Sequence, residues 1–244
     1  MQKKCKIEVT AQDVYSVKSA IIGGADRIEL CTALGVAGLT PSIGLIESAV
    51  NLAKKYQLNK FVDVLIRPRE GDFFYDDDEI ETCLLDIKRS VEAGVDGIVI
   101  GVLNKDNTVN KEAVLKMIEA AGNTDVTFNR AFDVVDDQFI ALEQLVQLGI
   151  KRILTSGGAP ITIDGINIIK ELVNLADGKI EIMAGGGVKV EDIPLLVDIG
   201  VDAIHTSAKV AVTGGPNRPG ENASYWQATV ENVKKAVKAV HEII

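Results

Sequence analysis

The fold is decided by the stretch Gly200-Val201-Asp202-Ala203-Ile204-His205-Thr206-Ser207, because versions of it occur three more times in the chain. Each copy has a glycine typical of a helix end, a short polar link and then residues that favour a strand. Four copies predict one repeated helix-to-strand unit. The other copies are Gly24-Ala25-Asp26-Arg27-Ile28-Glu29-Leu30-Cys31, Gly94-Val95-Asp96-Gly97-Ile98-Val99-Ile100-Gly101 and Gly149-Ile150-Lys151-Arg152-Ile153-Leu154-Thr155-Ser156.

The side chains of each copy divide between two faces, because strand residues alternate with period two. The fifth residue is always isoleucine, which suits the face that packs against helices. Charged and small residues collect on the other face, which we expect to point into the centre of the sheet. In the first copy that face carries Arg27, Glu29 and Cys31, and in the last copy it carries Ala203, His205 and Ser207.

The segments between the copies complete an alternating pattern of strands and helices. Further strands are predicted at residues 6–10, 61–66, 125–128 and 179–183, and helices at about 11–23, 42–56, 76–93, 111–121, 136–148, 162–175 and 191–199. Eight strands with helical connections require parallel crossovers, and eight such units favour a (β/α)8 barrel, the TIM barrel, over an open sheet. We expect one domain over residues 1–244. Residues 212–224, rich in Gly and Pro, predict a mobile loop before a last helix at 225–244.

Composition limits the classes of partner. The chain has 244 residues and a formal net charge of -9, which disfavours nucleic acid and anionic membranes. The first lysines are followed by Glu8 where a signal peptide needs apolar residues, and no run is long enough to span a membrane. Cys5, Cys31 and Cys83 are an odd number without finger spacing, which predicts free thiols and a cytoplasmic location.

The candidate catalytic residues are Glu8, Glu29 and His205, which lie near strand ends on the inward face. In a TIM barrel the active site lies at the carboxyl ends of the strands. Carboxylate and imidazole groups are suited to acid–base chemistry. We therefore expect these three side chains to share one cavity. A polar core of mutually paired residues is the alternative, and it applies most directly to the deeper Arg27, Arg152 and Glu181.

Glycine-rich turns follow the last three predicted strands. Phosphate sites in barrels are often built from backbone amides of these late loops. The pattern predicts that sulfate or phosphate binds at the barrel mouth, with Arg67 beside it; tight turns alone are the alternative reading. Motifs for dinucleotides, phosphate loops and H-E-x-x-H metal sites are absent from the sequence. The turns are Ser156-Gly157-Gly158, Gly185-Gly186-Gly187 and Thr206-Ser207-Ala208.

Five motifs occur along the chain in this order: Gly23-Gly24-Ala25-Asp26-Arg27-Ile28-Glu29-Leu30-Cys31, Gly38-Leu39-Thr40-Pro41-Ser42, Ile66-Arg67-Pro68-Arg69 with Gly71-Asp72-Phe73, Thr127-Phe128-Asn129-Arg130-Ala131-Phe132-Asp133, and Leu154-Thr155-Ser156-Gly157-Gly158. Together they resemble the copper homeostasis protein CutC family, and the resemblance runs from the first strand to the last. It implies a cytoplasmic TIM barrel associated with copper tolerance, with a homodimer as a family-level expectation. It also adds Asn129, Arg130 and Asp133 to the candidate ligand-binding residues.

Two positions depart from the family pattern. Thr10 stands where the family usually has Cys, and Asn129 stands where it usually has His. Both changes remove good metal ligands, which leaves Cys31 as a weak candidate for copper. Two hypotheses follow. One is a copper-handling protein, for which copper is implied only by the resemblance. The other is an enzyme that acts on a small phosphorylated or carboxylated metabolite, with Arg67 and Arg130 holding the anion.

Overall fold

The computed structural model describes residues 5–219 and 221–241. The strands are β1 Lys6–Ala11, β2 Arg27–Leu30, β3 Val62–Leu65, β4 Gly97–Ile100, β5 Asp125–Phe128, β6 Arg152–Thr155, β7 Glu181–Gly185, β8 Ala203–Thr206, β9 Lys209–Arg218 and β10 Glu221–Ala228. The helices are α1 Val14–Gly23, α2 Ile43–Lys55, α3 Asp77–Ala93, α4 Lys111–Ala121, α5 Gln138–Gln147, α6 Ile166–Ala176, α7 Ile193–Asp198 and α8 Val230–His241.

Strands β1 to β8 close into a barrel in sequence order, with parallel neighbours throughout. This confirms the predicted (β/α)8 architecture. The isoleucine of each repeat is fully buried in the large apolar cluster that includes residues of the surrounding helices. Inside the barrel, two small apolar clusters alternate with charged side chains. The two faces of each strand therefore follow the period-two pattern.

The repeated aspartate has a structural role that the sequence pattern did not reveal. In three copies its carboxylate accepts hydrogen bonds from backbone amides at the start of a neighbouring strand. Asp26 accepts from Ile7, and Asp202 accepts from Ile182, both at 2.8 Å. Asp96 accepts from two successive amides, those of Phe61 and Val62. Each such bond satisfies an amide at a strand end and holds two strands in register.

The end of the chain differs from the prediction. Residues 209–218 and 221–228 pair as an antiparallel hairpin of β9 and β10, so the predicted loop at 212–224 is wrong, and the last helix begins at Val230 instead of residue 225. In a two-stranded ribbon both strands are edges, so a proline can be tolerated without breaking a ladder. The pairing is irregular near Asn222, opposite Pro216. Residues 242–244 of the predicted helix lie outside the described part of the chain.

Among the described residues, no helix is both long enough and apolar enough to cross a membrane.

Candidate functional site

The lower interior of the barrel is filled by an ionic network. Arg152 donates to Thr127 at 2.7 Å, to Glu181 at 2.9 Å and to Asp63 at 3.1 Å. Arg27 lies beside the same carboxylates and donates to Glu8. The polar-core interpretation of Arg27, Arg152 and Glu181 therefore describes their contacts well.

Glu8 connects this network to the upper barrel. Its side chain is 1% exposed and contacts Arg27 on one side and His205 on the other. Burial alone raises the pKa of a carboxyl, but the Arg27 guanidinium and the hydrogen bond from His205 outweigh it and hold the pKa of Glu8 well below its usual range. Glu8 is therefore an ionised carboxylate that orients the imidazole above it.

The His205 ring stands between three polar side chains. Its Nδ1 is 2.7 Å from Glu8 Oε1, and its Nε2 is 2.9 Å from Thr10 Oγ1 and 3.7 Å from Glu29 Oε2. Burial lowers the pKa of this imidazole, but the two carboxylates overcome that effect and raise it above its ordinary value. Because Nδ1 donates to the ionised Glu8, Nε2 is the nitrogen that exchanges a proton with Thr10, Glu29 or a ligand.

Glu29 is a carboxyl group of the cavity wall whose pKa is raised. Burial raises it and His205 opposes that effect, which brings the pKa of Glu29 to about 7. A carboxyl in this range is partly protonated at neutral pH and can act as acid or base. Glu29 and His205 together form a buried pair of titratable groups, with Oε2 and Nε2 3.7 Å apart.

A cavity of about 400 Å³ opens above this pair. One part of its wall is apolar, formed by Cys31, Leu34, Ala37, Leu65, Phe73, Val134 and Leu154. The polar part is formed by Thr10, Glu29, Arg67, Asn129, Arg130, Asp133 and His205. The volume and the mixed lining suit a small metabolite.

Arg67 brings a positive charge to the cavity wall. Its guanidinium donates to the carbonyl oxygens of Val36, Gly38 and Gly71 at 2.8 to 2.9 Å and stacks on Phe73. No carboxylate of the described residues lies within salt-bridge distance of it. Carbonyl groups orient the guanidinium but leave its formal charge uncompensated.

Arg130 and Asp133 form a second polar cluster at the end of β6. Arg130 donates through Nε to Asp133 at 2.7 Å and through Nη2 to the Ser156 hydroxyl at 2.8 Å. The Asp133 carboxylate also accepts the backbone amides of Ser156 and Gly158 and the Thr155 hydroxyl. The Gly157 amide donates to the same Thr155 hydroxyl. The three amides of this turn, which is one of the three turns proposed for an anion site, therefore all donate within the protein.

The other candidate residues lie around the cavity or away from it. Glu8 is beneath it, whereas Ser156, Gly157 and Gly158 hold Asp133 from behind. Three glycines at the end of β7 and in the turn after it, together with Ser207 after β8, are not part of the cavity wall; the glycines are Gly185, Gly186 and Gly187. The Gly186 carbonyl instead accepts from the amide and hydroxyl of Thr162.

Two residues that touch the site were not among the sequence candidates. Thr10 bonds the reactive nitrogen of His205, and Phe73 stacks on Arg67. Thr10 could have been found from its inward phase, two residues after Glu8. Phe73 lies in a long loop, where no periodic pattern assigns a direction to the side chain.

The sulfur atoms of Cys5, Cys31, Cys83 and Met183 do not converge on one point. Cys31 lines the cavity and packs with Leu34, Leu65 and Val99, and burial raises the pKa of its thiol. The Met183 sulfur accepts a hydrogen bond from Arg27 deeper in the barrel. Cys5 and Cys83 are buried in the outer apolar layer. Among the described residues, no group of three or more His, Cys, Asp or Glu side chains is arranged to hold a metal ion.

A family model described as the CutC family matches residues 5–210. The chain belongs to the CutC family. A CutC protein of Parabacteroides distasonis is 41% identical over 237 residues, which cover 97% of this chain and 96% of the relative. A CutC protein of Vibrio cholerae is 42% identical over 211 residues, covering 84% of this chain and 80% of the relative.

One solved structure agrees with the CutC assignment, and another shares only the fold. A CutC protein from Streptococcus agalactiae, whose name assigns it to copper homeostasis, has a TM-score of 0.79 and 36% identity, and the match covers 83% of this chain and 98% of that one. A thiamine phosphate pyrophosphorylase from Pyrococcus furiosus has a TM-score of 0.64 at 16% identity, covering 99% and 98%, which is a likeness of fold alone. Most of the β9–β10 hairpin lies beyond the residues that the CutC family model matches.

Proposed function

We propose that this CutC-family chain binds a small anionic metabolite in the barrel-mouth cavity and transfers a proton to or from it through Glu29 and His205. The single observation that carries the proposal is the buried pair itself, in which His205 Nε2 lies 3.7 Å from a carboxyl whose pKa is raised to about 7. Glu29 lies in the wall of the open cavity, where a ligand can reach a carboxyl that is partly protonated at neutral pH.

The roles of the pair follow from their environments. Glu8 is ionised and fixes the imidazole with Nδ1 as donor, so Nε2 is the nitrogen that gives or takes a proton at the cavity wall. Glu29 is protonated when it acts as the acid and ionised when it acts as the base. Thr10 bonds the same nitrogen and keeps the ring in position. One group therefore acts as the acid while the other acts as the base, and Glu8 acts as a positioning residue.

The charge of the cavity supports an anionic ligand. Arg67 contributes a charge without a carboxylate partner, and Arg130 Nη1 donates to no described residue. The Asn129 side-chain oxygen accepts from Ala131, which leaves its amide nitrogen as a donor at the wall. These groups would orient an anion while Glu29 and His205 act on the adjacent carbon or oxygen.

Copper handling is the second candidate, and the family name and the position of Cys31 in the cavity wall favour it. Cu(I) prefers thiolate and thioether ligands, and a tight site needs at least two that converge. Thr10 lies where the family pattern has a second thiol. A direct copper role would therefore use Cys31 with a ligand from outside this barrel.

The proposal is tested by incubating the protein in D2O with a set of small hydroxy- and oxo-carboxylates and their phosphate esters. Line broadening of the metabolite signals reports binding, and loss of a carbon-bound proton signal reports proton transfer. We expect at least one member to bind and to exchange. Glu29→Gln should keep binding but slow exchange by about 100-fold or more, the usual contribution of a general acid or base.

Glu47→Gln is the matched control, because Glu47 is an exposed residue of α2 far from the chemistry. It should exchange at the wild-type rate. Absence of binding by every member of the set, or equal exchange by the wild type and Glu29→Gln, would contradict the proposed function.

A further inference from the structure

The turn after β6 has the form of an anion-binding site. Gly157 and Gly158 adopt successive left-handed conformations, with φ of +70° and +72°. Turns of this kind can direct neighbouring amides toward one point and so create a concavity for an anion. The amides of Ser156 and Gly158, together with two hydroxyls and a guanidinium, meet at one place there.

That place is already occupied by the carboxylate of Asp133. Oδ1 accepts the Thr155 hydroxyl at 2.6 Å, the Ser156 amide at 2.9 Å and the Gly158 amide at 3.2 Å. Oδ2 lies 2.9 Å from the Ser156 hydroxyl and 2.7 Å from Arg130 Nε. The Asp133 side chain is only 6% exposed, whereas that of Arg130 is 41% exposed. The carboxylate thus makes the contacts that two oxygens of a bound anion would make.

We infer that Asp133 is an internal ligand that closes this turn to phosphate, so that the cavity selects a carboxylated over a phosphorylated metabolite. This inference rests on the proposed function and narrows its substrate class. A phosphate dianion entering the turn would meet a buried negative charge, and the amides that should receive it have no free hydrogen. Two negative charges that compete for the same donors in a partly buried site repel each other strongly.

The groups left for the ligand fit a carboxylate better. Arg130 offers Nη1, and Asn129 offers its amide nitrogen, which together are few donors for the three or more oxygens of phosphate. The remaining charge comes from Arg67, whose Nη atoms are already directed to backbone carbonyls. A planar monoanion needs fewer donors and less compensating charge. Asp133 is therefore a specificity-determining residue because it removes the amides that phosphate would need.

The test compares inorganic phosphate and acetate as probes, with backbone amide NMR signals as the readout. In the wild type, acetate should shift the signals of cavity residues such as Ala37 and Gly71, and phosphate should leave Ser156 and Gly158 unmoved. In Asp133→Ala the carboxylate no longer occupies the turn. Phosphate should then bind at least about ten-fold more tightly than it binds the wild type, and it should shift the amide signals of Ser156 and Gly158. Adding Arg130→Gln to that variant should reduce the gain.

Asp164→Ala is the matched control, because it removes one exposed negative charge from the same region without freeing any donor of the turn. It should bind phosphate like the wild type. The inference is overturned if phosphate shifts the Ser156 and Gly158 amide signals of the wild type. That titration needs no variant, so a failure of Asp133→Ala to fold leaves it decisive.

The two ideas fail differently. If acetate leaves the cavity signals unmoved while Asp133→Ala gains phosphate binding, the anion-binding cavity of the proposed function is contradicted and the role of Asp133 as an internal ligand stands. If acetate binds the cavity and Asp133→Ala gains nothing, the selectivity of the turn is contradicted and the proposed function stands.

Discussion

At the scale of single residues, environment sets the protonation of the two glutamates that flank His205. Glu8 and Glu29 are both buried, yet the pKa of Glu8 is lowered and that of Glu29 is raised to about 7. Burial acts on both in the same direction. The difference is Arg27, which contacts Glu8 and not Glu29. One carboxyl is therefore a fixed charge and the other exchanges a proton.

The raised pKa of Glu29 predicts a pH dependence of stability. The carboxyl ionises near its ordinary value of 4.5 in the unfolded chain and at about 7 in the folded protein, so between these values the folded protein binds more protons. Stability from this group is present at low pH and lost as pH rises through 7. Relative to Glu29→Gln, the wild type should lose about 3 kcal/mol of unfolding free energy between about pH 4 and about pH 8.

Urea denaturation of both proteins across this pH range measures the difference. Glu47→Gln should follow the wild type, because its carboxyl is exposed. If the stability difference between the wild type and Glu29→Gln does not change with pH, Glu29 has an ordinary pKa and cannot share a proton with His205 at neutral pH.

At the scale of elements, the β6 turn depends on close backbone approach. A Cβ on Gly157 would lie 2.4 Å from the carbonyl oxygen of Gly165, and φ is positive there as well. Gly149, at the end of the third repeat's helix, also has positive φ, but a Cβ there would meet no atom within 4 Å. Substitutions at these two positions therefore distinguish the cost of left-handed strain from the cost of a steric clash.

We expect Gly149→Ala to lower the free energy of unfolding by about 1 kcal/mol, from left-handed strain alone. Gly157→Ala should cost about 3 kcal/mol or more, because the Gly165 backbone must also move. Denaturant titration of the two variants gives this comparison. Equal losses would mean that the turn can relax, and a rigid arrangement of its amides around Asp133 would then be contradicted.

At the scale of the whole molecule, the arrangement of sulfur atoms bears on copper. Cys31 lies in the cavity wall, the Met183 sulfur is engaged by Arg27, and Cys5 and Cys83 lie in the outer layer. Within one barrel these atoms cannot share a small ion without large rearrangement. We therefore predict that the monomer has no closed, high-affinity Cu(I) site.

Competition against a Cu(I) chelator measures this directly. The chelator should retain the metal in the presence of the monomer, and Cys31→Ser should behave like the wild type. Stoichiometric binding with sub-nanomolar affinity that Cys31→Ser abolishes would establish direct copper binding and overturn the prediction.

The barrel and the inward face of its strands were determined by the sequence alone, because four copies of one repeat carry both the helix ends and the period-two alternation. That local pattern was sufficient to place Glu29 and His205 inside the barrel. It could not assign the partner of each buried charge. Such partners come from different strands. Which of Glu8 and Glu29 is protonated first as the pH falls depends on which of the two carboxyls contacts Arg27.

Only the tertiary structure decided that the β6 turn holds Asp133. The sequence correctly marked Gly157 and Gly158 as a special turn, but an empty anion site and one filled by a side chain have the same glycine pattern. Asp133 lies 23 residues before Ser156, and hydrogen bonds across such a separation leave no periodic signal in the chain. The hairpin was missed for a related reason. The Gly and Pro content of a segment predicts a loop from local preference alone, whereas the pairing of two strands depends on the residues of the opposite strand.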